Sequence, residues 1–245
     1  MPVNRGNESK KALDSASQRA GTLFTRRIPS LPYTERLKSS LSPTDLNTLR
    51  ILMIKLNTLK NKARYSPSFT KEATNDVLEM SKHISDPNSI KILDTTLKKL
   101  LATSPASIRG IIIKQIFSSI SDREITNEFR KSLVSIIGKR LLFDRDATLR
   151  FSSAYSLTFL IRSNFSTREI KSRIINIFKE SLEKEEDPQI RGLVISSLCQ
   201  FVLSKSTPKD LHSTASAILP NALTDYRIPA ESRDTINQTL ERVRE

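Results

Sequence analysis

From Ser42 onward, apolar residues recur every three or four positions, and the runs are separated by residues that start helices. Leu46, Leu49, Leu52, Met53, Leu56 and Leu59 fall at helical spacing, which lays one stripe along a helix. Ser42-Pro43-Thr44-Asp45 precedes them with a cap residue, a proline and a first-turn acid. A second run from about Thr70 to His83 carries Ala73, Val77 and Met80. Asp86-Pro87 opens a third, with Ile90, Leu93, Leu97 and Leu100, and Ser104-Pro105 opens a fourth. Asp122 or Thr126 opens a fifth that ends near Leu142, and Asp146 a sixth. Ser166-Thr167-Arg168-Glu169 reads as a capping box for the seventh. Asp187-Pro188, Thr207-Pro208-Lys209-Asp210 and Ile228-Pro229-Ala230-Glu231 open the last three. No stretch alternates as a strand does, so the pattern predicts an all-α chain of paired helices.

The pairs repeat. Arg109, Arg150 and Arg191 stand 41 residues apart, and Pro105, Asp146 and Asp187 each lie four residues before one of them. The same shift aligns Leu59, Leu100, Leu141, Leu182 and Leu223. It also aligns Phe129 with Ile170 and Leu211, Leu133 with Ile174 and Ala215, and Ile136 with Ile177 and Ile218. On the second helix of each pair it aligns Ile108, Leu149 and Ile190, then Ile116, Leu157 and Leu198, then Ile120, Ile161 and Val202. A two-helix unit cannot cover its own apolar stripe, so such units are stable only when stacked.

The period, the helix pairs and the phrase Asp187-Pro188-Gln189-Ile190-Arg191 resemble HEAT repeats of the armadillo-like class. The resemblance covers residues 43–245, as units 43–83, 84–124, 125–165, 166–206 and 207–245, with a basic, largely disordered arm over residues 1–42. It implies a right-handed α-solenoid of about five helix pairs. It also implies a ladder of hydrogen bonds in which Asp146 and Asp187 meet Arg109, Arg150 and Arg191 of adjacent units. Pro105 stands where the acid is expected, and Arg233 follows Arg191 by 42 residues, so the ladder departs from the pattern there. Gly110 and Gly192, which follow two of the arginines, are expected to permit close helix approach.

Charge adds a direction to this picture. The net charge is +14, and residues 1–65 hold 13 Lys and Arg against 4 Asp and Glu. An acidic partner such as nucleic acid, an anionic membrane surface or an acidic protein surface fits such a surplus. Lys98 aligns with Lys139, and Lys99 with Arg140, which predicts a basic stripe that Lys60, Lys62 and Arg64 extend. The second helices carry Lys114, Gln115, Ser118, Ser156, Ser196, Ser197 and Gln200, a polar, nearly neutral surface that suits a peptide or protein ligand. Tyr155 and Phe159 are the aromatics placed to stack on bases.

Catalytic chemistry has little to stand on. His83 and His212 lie in different units without metal-ligand spacing, and Cys199 has no histidine near it in sequence. Glu183 to Asp187 is a turn between helices, and no Gly-rich phosphate loop or nucleophile elbow is present. The expectation is therefore no enzyme, no catalytic residue, no metal and no cofactor. Alkylpurine DNA glycosylases and tubulin-binding TOG domains use similar arrays, but both rely on tryptophan, and this chain has none. No apolar run is long enough to span a bilayer. A single cysteine fits a reducing compartment, cytoplasm or nucleus, while the Ser- and Arg-containing start leaves an organellar transit peptide open. The expected function is a non-catalytic scaffold that binds a partner protein, with nucleic-acid binding or a TOG-like role as alternatives.

Overall fold

A computed structural model describes residues 67–244 apart from 84–86, 121 and 123. The chain divides into units Met1–Asn47 and Thr48–Glu245, and the described residues all belong to the second. The arm, the helix expected from Ser42, and Lys60, Lys62 and Arg64 lie outside them. The described residues are helical and contain no strand: α1 (Pro67–His83), α2 (Pro87–Thr103), α3 (Ala106–Ile120), α4 (Asn127–Phe143), α5 (Ala147–Arg162), α6 (Arg168–Lys184), α7 (Pro188–Leu203), α8 (Lys209–Ser216), α9 (Leu219–Leu223) and α10 (Ala230–Arg244).

Local chemistry sets the helix starts. Of the two candidate openings for α4, Thr126 is the cap, and its hydroxyl accepts from the Phe129 N–H. Asp146 and Asp187 each accept two backbone N–H groups at the starts of α5 and α7, and Pro188 occupies the first turn, where no amide donor is needed. Two starts differ from the sequence reading. Thr167 rather than Ser166 caps α6, accepting from the Ile170 N–H. Thr207 donates its hydroxyl to the Phe201 carbonyl at the end of α7, and α8 begins after Pro208 with no side-chain cap.

Packing follows the repeat. Helices α1, α3, α5, α7 and α10 pack in succession, each on the next, and so do α2, α4, α6 and α8. Side-chain bonds between equivalent helices join residues 38 to 42 apart, as in Ser132 to Asp94, Thr158 to Ser197 and Arg168 to Asp210. The aligned apolar columns are the core. Phe129, Ile170 and Leu211 are buried, as are Leu133, Ile174 and Ala215. Ile108, Leu149 and Ile190 are buried, and so are Ile116, Leu157 and Leu198. Removing each of the larger side chains from water contributes about 1.5–3 kcal/mol, so the stripes rather than helix propensity fix the stack.

Two places break the regularity. The helix expected after Thr207 is split into α8 and α9. Pro220 cannot donate to the Ser216 carbonyl and its ring crowds that group, so α8 stops at Ser216 and the Ile218 N–H bonds Ala215 instead. The second is Gly138 on α4, where an added Cβ would stand 2.5 Å from Ile177 Cδ1 on α6. Ile177 is the one partly exposed residue of its column because it lies across that glycine. Gly110, expected to permit close helix approach, has room: a Cβ there would meet Leu149 at 3.4 Å, an ordinary contact.

These distances predict opposite outcomes for two glycines. Gly138→Leu should lower the unfolding free energy in a urea titration by about 1–3 kcal/mol through overpacking. Gly110→Ala should leave it unchanged or raise it by up to about 1 kcal/mol through helix propensity.

Candidate binding face

The three repeated arginines do form bridges between successive pairs, but their acids are not those the repeat suggests. Arg109 donates from Nε and Nη2 to Asp144 at 3.0 and 2.8 Å, and from Nη1 to the Ser104 carbonyl at 3.0 Å. Arg150 grips Glu185 the same way, at 2.8 and 3.0 Å, and bonds the Asp144 carbonyl at 3.0 Å. Arg191, fully buried, donates to Asp225 and to the carbonyls of Leu182 and Glu185, both at 2.7 Å. Each arginine thus closes carbonyls at the end of the first helix in its own pair and reaches a carboxylate 34 or 35 residues ahead. Arg233 continues the carbonyl half, bonding Asp225 and Tyr226.

Asp146 and Asp187 are the correction. Their carboxylates are aimed at the first amides of α5 and α7, where each accepts two N–H bonds. The geometry of an N-cap turns the carboxylate along its own helix, away from the preceding pair. Asp144 and Glu185, two residues earlier, are the ones that face back. Each also accepts backbone N–H bonds from its own loop, Asp144 from Asp146 and Glu185 from Glu186 and Asp187. Asp225 does the same for the Arg227 N–H at 2.9 Å. One carboxylate therefore shapes a loop and receives an arginine.

The electrostatics follow. Burial alone would raise the Asp144 pKa, but bonds from Arg109 and the Asp146 N–H outweigh it and hold the carboxyl below its usual range. Arg227 is the largest influence on Asp225 and, with its own N–H and Arg191, holds that carboxyl far below the usual range. Glu185 pushes the Arg150 pKa up, whereas burial pulls that of Arg191 down. Burial likewise pushes the Cys199 thiol up, away from nucleophilic reactivity.

The expected basic stripe is divided. Lys98 is bonded to Asp94 within its own helix, and Arg140 leans toward Asp144 at 3.5 Å. Arg140 is pulled inward because it ends α4 beside the buried ladder carboxylate. Lys98, Lys99 and Lys139 are exposed on α2 and α4. Neighbouring acids thus engage Lys98 and Arg140, and of the four only Arg140 is drawn below the surface.

A different surface stands out on α5. Phe151, Tyr155 and Phe159 recur one turn apart and are 40%, 59% and 49% exposed. Phe159 is supported edge-on by Phe117 of α3, with ring centroids 5.3 Å apart. The 41-residue register places Gly110 and Gly192 beside Phe151, Lys114 and Ser196 beside Tyr155, and Ser118 and Gln200 beside Phe159. Small and polar neighbours leave the aromatic ridge standing. The polar lining expected from the second helices is only partly there, since Ser156 and Ser197 are buried. Their hydroxyls bond the Ser152 and Leu193 carbonyls one turn back. Phe151 was not singled out in the sequence, although its spacing of four from Tyr155 carried the signal.

No protein-family model matches this chain, and no curated protein matches it in sequence. Among the described residues, no cluster of three or more His, Cys, Asp or Glu is arranged to hold a metal, and no helix is long and apolar enough to cross a membrane.

The depressed carboxyl pKa values set a pH dependence. Asp144 and Asp225 contribute stability that is complete above the unfolded carboxyl pKa of about 3.9 and is lost as pH falls toward their folded values. The melting temperature should therefore fall as pH drops below about 4. Asp144→Asn should lower it at neutral pH and make the acid loss shallower.

Proposed function

We propose that this chain is a non-catalytic helical-repeat scaffold that binds a partner protein over an extended surface. In this reading the array is a right-handed α-solenoid of about five HEAT-like pairs. The succession of like helices and the recurrence of bonds at 38 to 42 residues support it. The place proposed for it is a reducing compartment, cytoplasm or nucleus, which the lone buried Cys199 favours.

One observation carries the functional part: three large aromatic side chains stand exposed in a single row on α5. Surface aromatics scattered singly are ordinary, but a contiguous apolar row rimmed by polar residues is the form of an interaction site. Aromatic anchors are also the residues on which binding energy concentrates. A nucleic-acid reading would draw on the basic arm over residues 1–42 and on the stripe, of which Lys98, Lys99 and Lys139 are exposed among the described residues. Phosphate tracking needs a series of such contacts, so the aromatic row is the better-supported site.

The test is partner capture by proximity labelling with the native chain and a Phe151→Ser, Tyr155→Ser variant. The proposal expects a specific subset of partners to disappear with the variant while its helical circular dichroism is retained. An unchanged partner set would contradict it.

A further inference from the structure

We infer that the face formed by α3, α5 and α7 takes an acidic polypeptide segment whose apolar side chains seat on the Phe151–Tyr155–Phe159 row. This rests on the scaffold reading above and narrows the partner's chemistry. The observation behind it is the charge of the face. None of the three helices contains a single Asp or Glu. Their cations are Arg109, Lys114, Arg150, Arg162 and Arg191. Arg109, Arg150 and Arg191 are taken up by the ladder. That leaves Lys114 and Arg162, both exposed.

Those two cations flank the row. Lys114 falls beside Tyr155 by the repeat register, and Arg162 follows Phe159 at the end of α5. Arg162 bonds the neutral Gln200 side chain at 2.7 Å, and Lys114 has no carboxylate partner among the described residues. The acids in the loops around the face are occupied: Asp144 and Glu185 hold the ladder and Asp146 and Asp187 cap helices at one end, and Asp122 and Glu124 face Lys82 at the other. The face therefore offers an apolar ridge with positive charge on either side and no acid on its own three helices. A basic segment would be repelled there, and a neutral one would leave both cations without a counter-ion. A segment bearing carboxylates beside Leu, Phe or similar side chains satisfies both features. Single-stranded nucleic acid would stack on the same rings, but two exposed cations are few for tracking a phosphate backbone.

The test uses fluorescence anisotropy of four labelled probes with the full chain. They are a short peptide of Glu, Leu and Phe, its Lys-for-Glu counterpart, its Ser-for-Leu and Ser-for-Phe counterpart, and an oligouridine of similar length. The first should bind best. Tyr155→Ser should weaken it about tenfold or more. Lys114→Glu with Arg162→Glu should do the same and flatten the salt dependence. Tyr155 and Lys114 are exposed, so these variants keep the fold, which circular dichroism checks.

Equal binding of the Lys peptide through Tyr155 would overturn the acidic assignment and leave the scaffold reading standing. Oligouridine binding lost with Tyr155→Ser, and stronger than that of the acidic peptide, would overturn it in favour of nucleic acid. Acidic-peptide binding indifferent to Tyr155→Ser, or no binding by that peptide, would overturn the proposal. The scaffold reading falls separately, if partner capture is indifferent to the loss of the row.

Discussion

Each described helix pair is fastened to the next by an arginine that must satisfy two demands at once. Its guanidinium closes carbonyls left open at the end of one helix, and its remaining N–H groups grip a carboxylate in the following pair. Either half alone would be a modest contribution. Together they fix where one pair ends and where the next must stand, in a position shielded from water. Burial raises the stakes, because an arginine such as Arg191 without its partners would be an uncompensated buried charge. The apolar columns supply most of the free energy, and they are tolerant of small slips. The directional bonds of the ladder are less tolerant.

Much of this was legible in the sequence. The period of 41, the apolar columns and the starts at Asp146 and Asp187 all follow from spacing and cap chemistry. What was not legible was the assignment of each acid. Asp144 and Asp146 sit two residues apart in one loop, and only the turn between them decides which faces its own helix. The break at Pro220 was readable from the proline, although a run of apolar residues masked it. Gly138 was not readable, since its reason lies in Ile177 of another unit.

The aromatic face shows the same division. Tyr155 and Phe159 were identifiable as aromatics on a second helix, but their exposure depends on the small residues of α3 and α7 beside them. The basic stripe seemed continuous as a column of letters. In three dimensions Asp94 and Asp144 draw off Lys98 and Arg140, and the column loses its continuity. Structural charges therefore lie in the joints, and the charges free to meet a ligand are the few that the joints do not need. On α3, α5 and α7 those few are all positive, which gives the aromatic ridge its electrostatic character.

Glu185, and not Asp187, is the ladder partner of Arg150. Two double-mutant cycles in chemical denaturation decide it, one pairing Arg150→Met with Glu185→Leu and the other pairing it with Asp187→Ala. The structure predicts a coupling of about 1.5 kcal/mol or more for the first pair and below about 0.5 kcal/mol for the second. A larger coupling to Asp187 than to Glu185 would contradict the account.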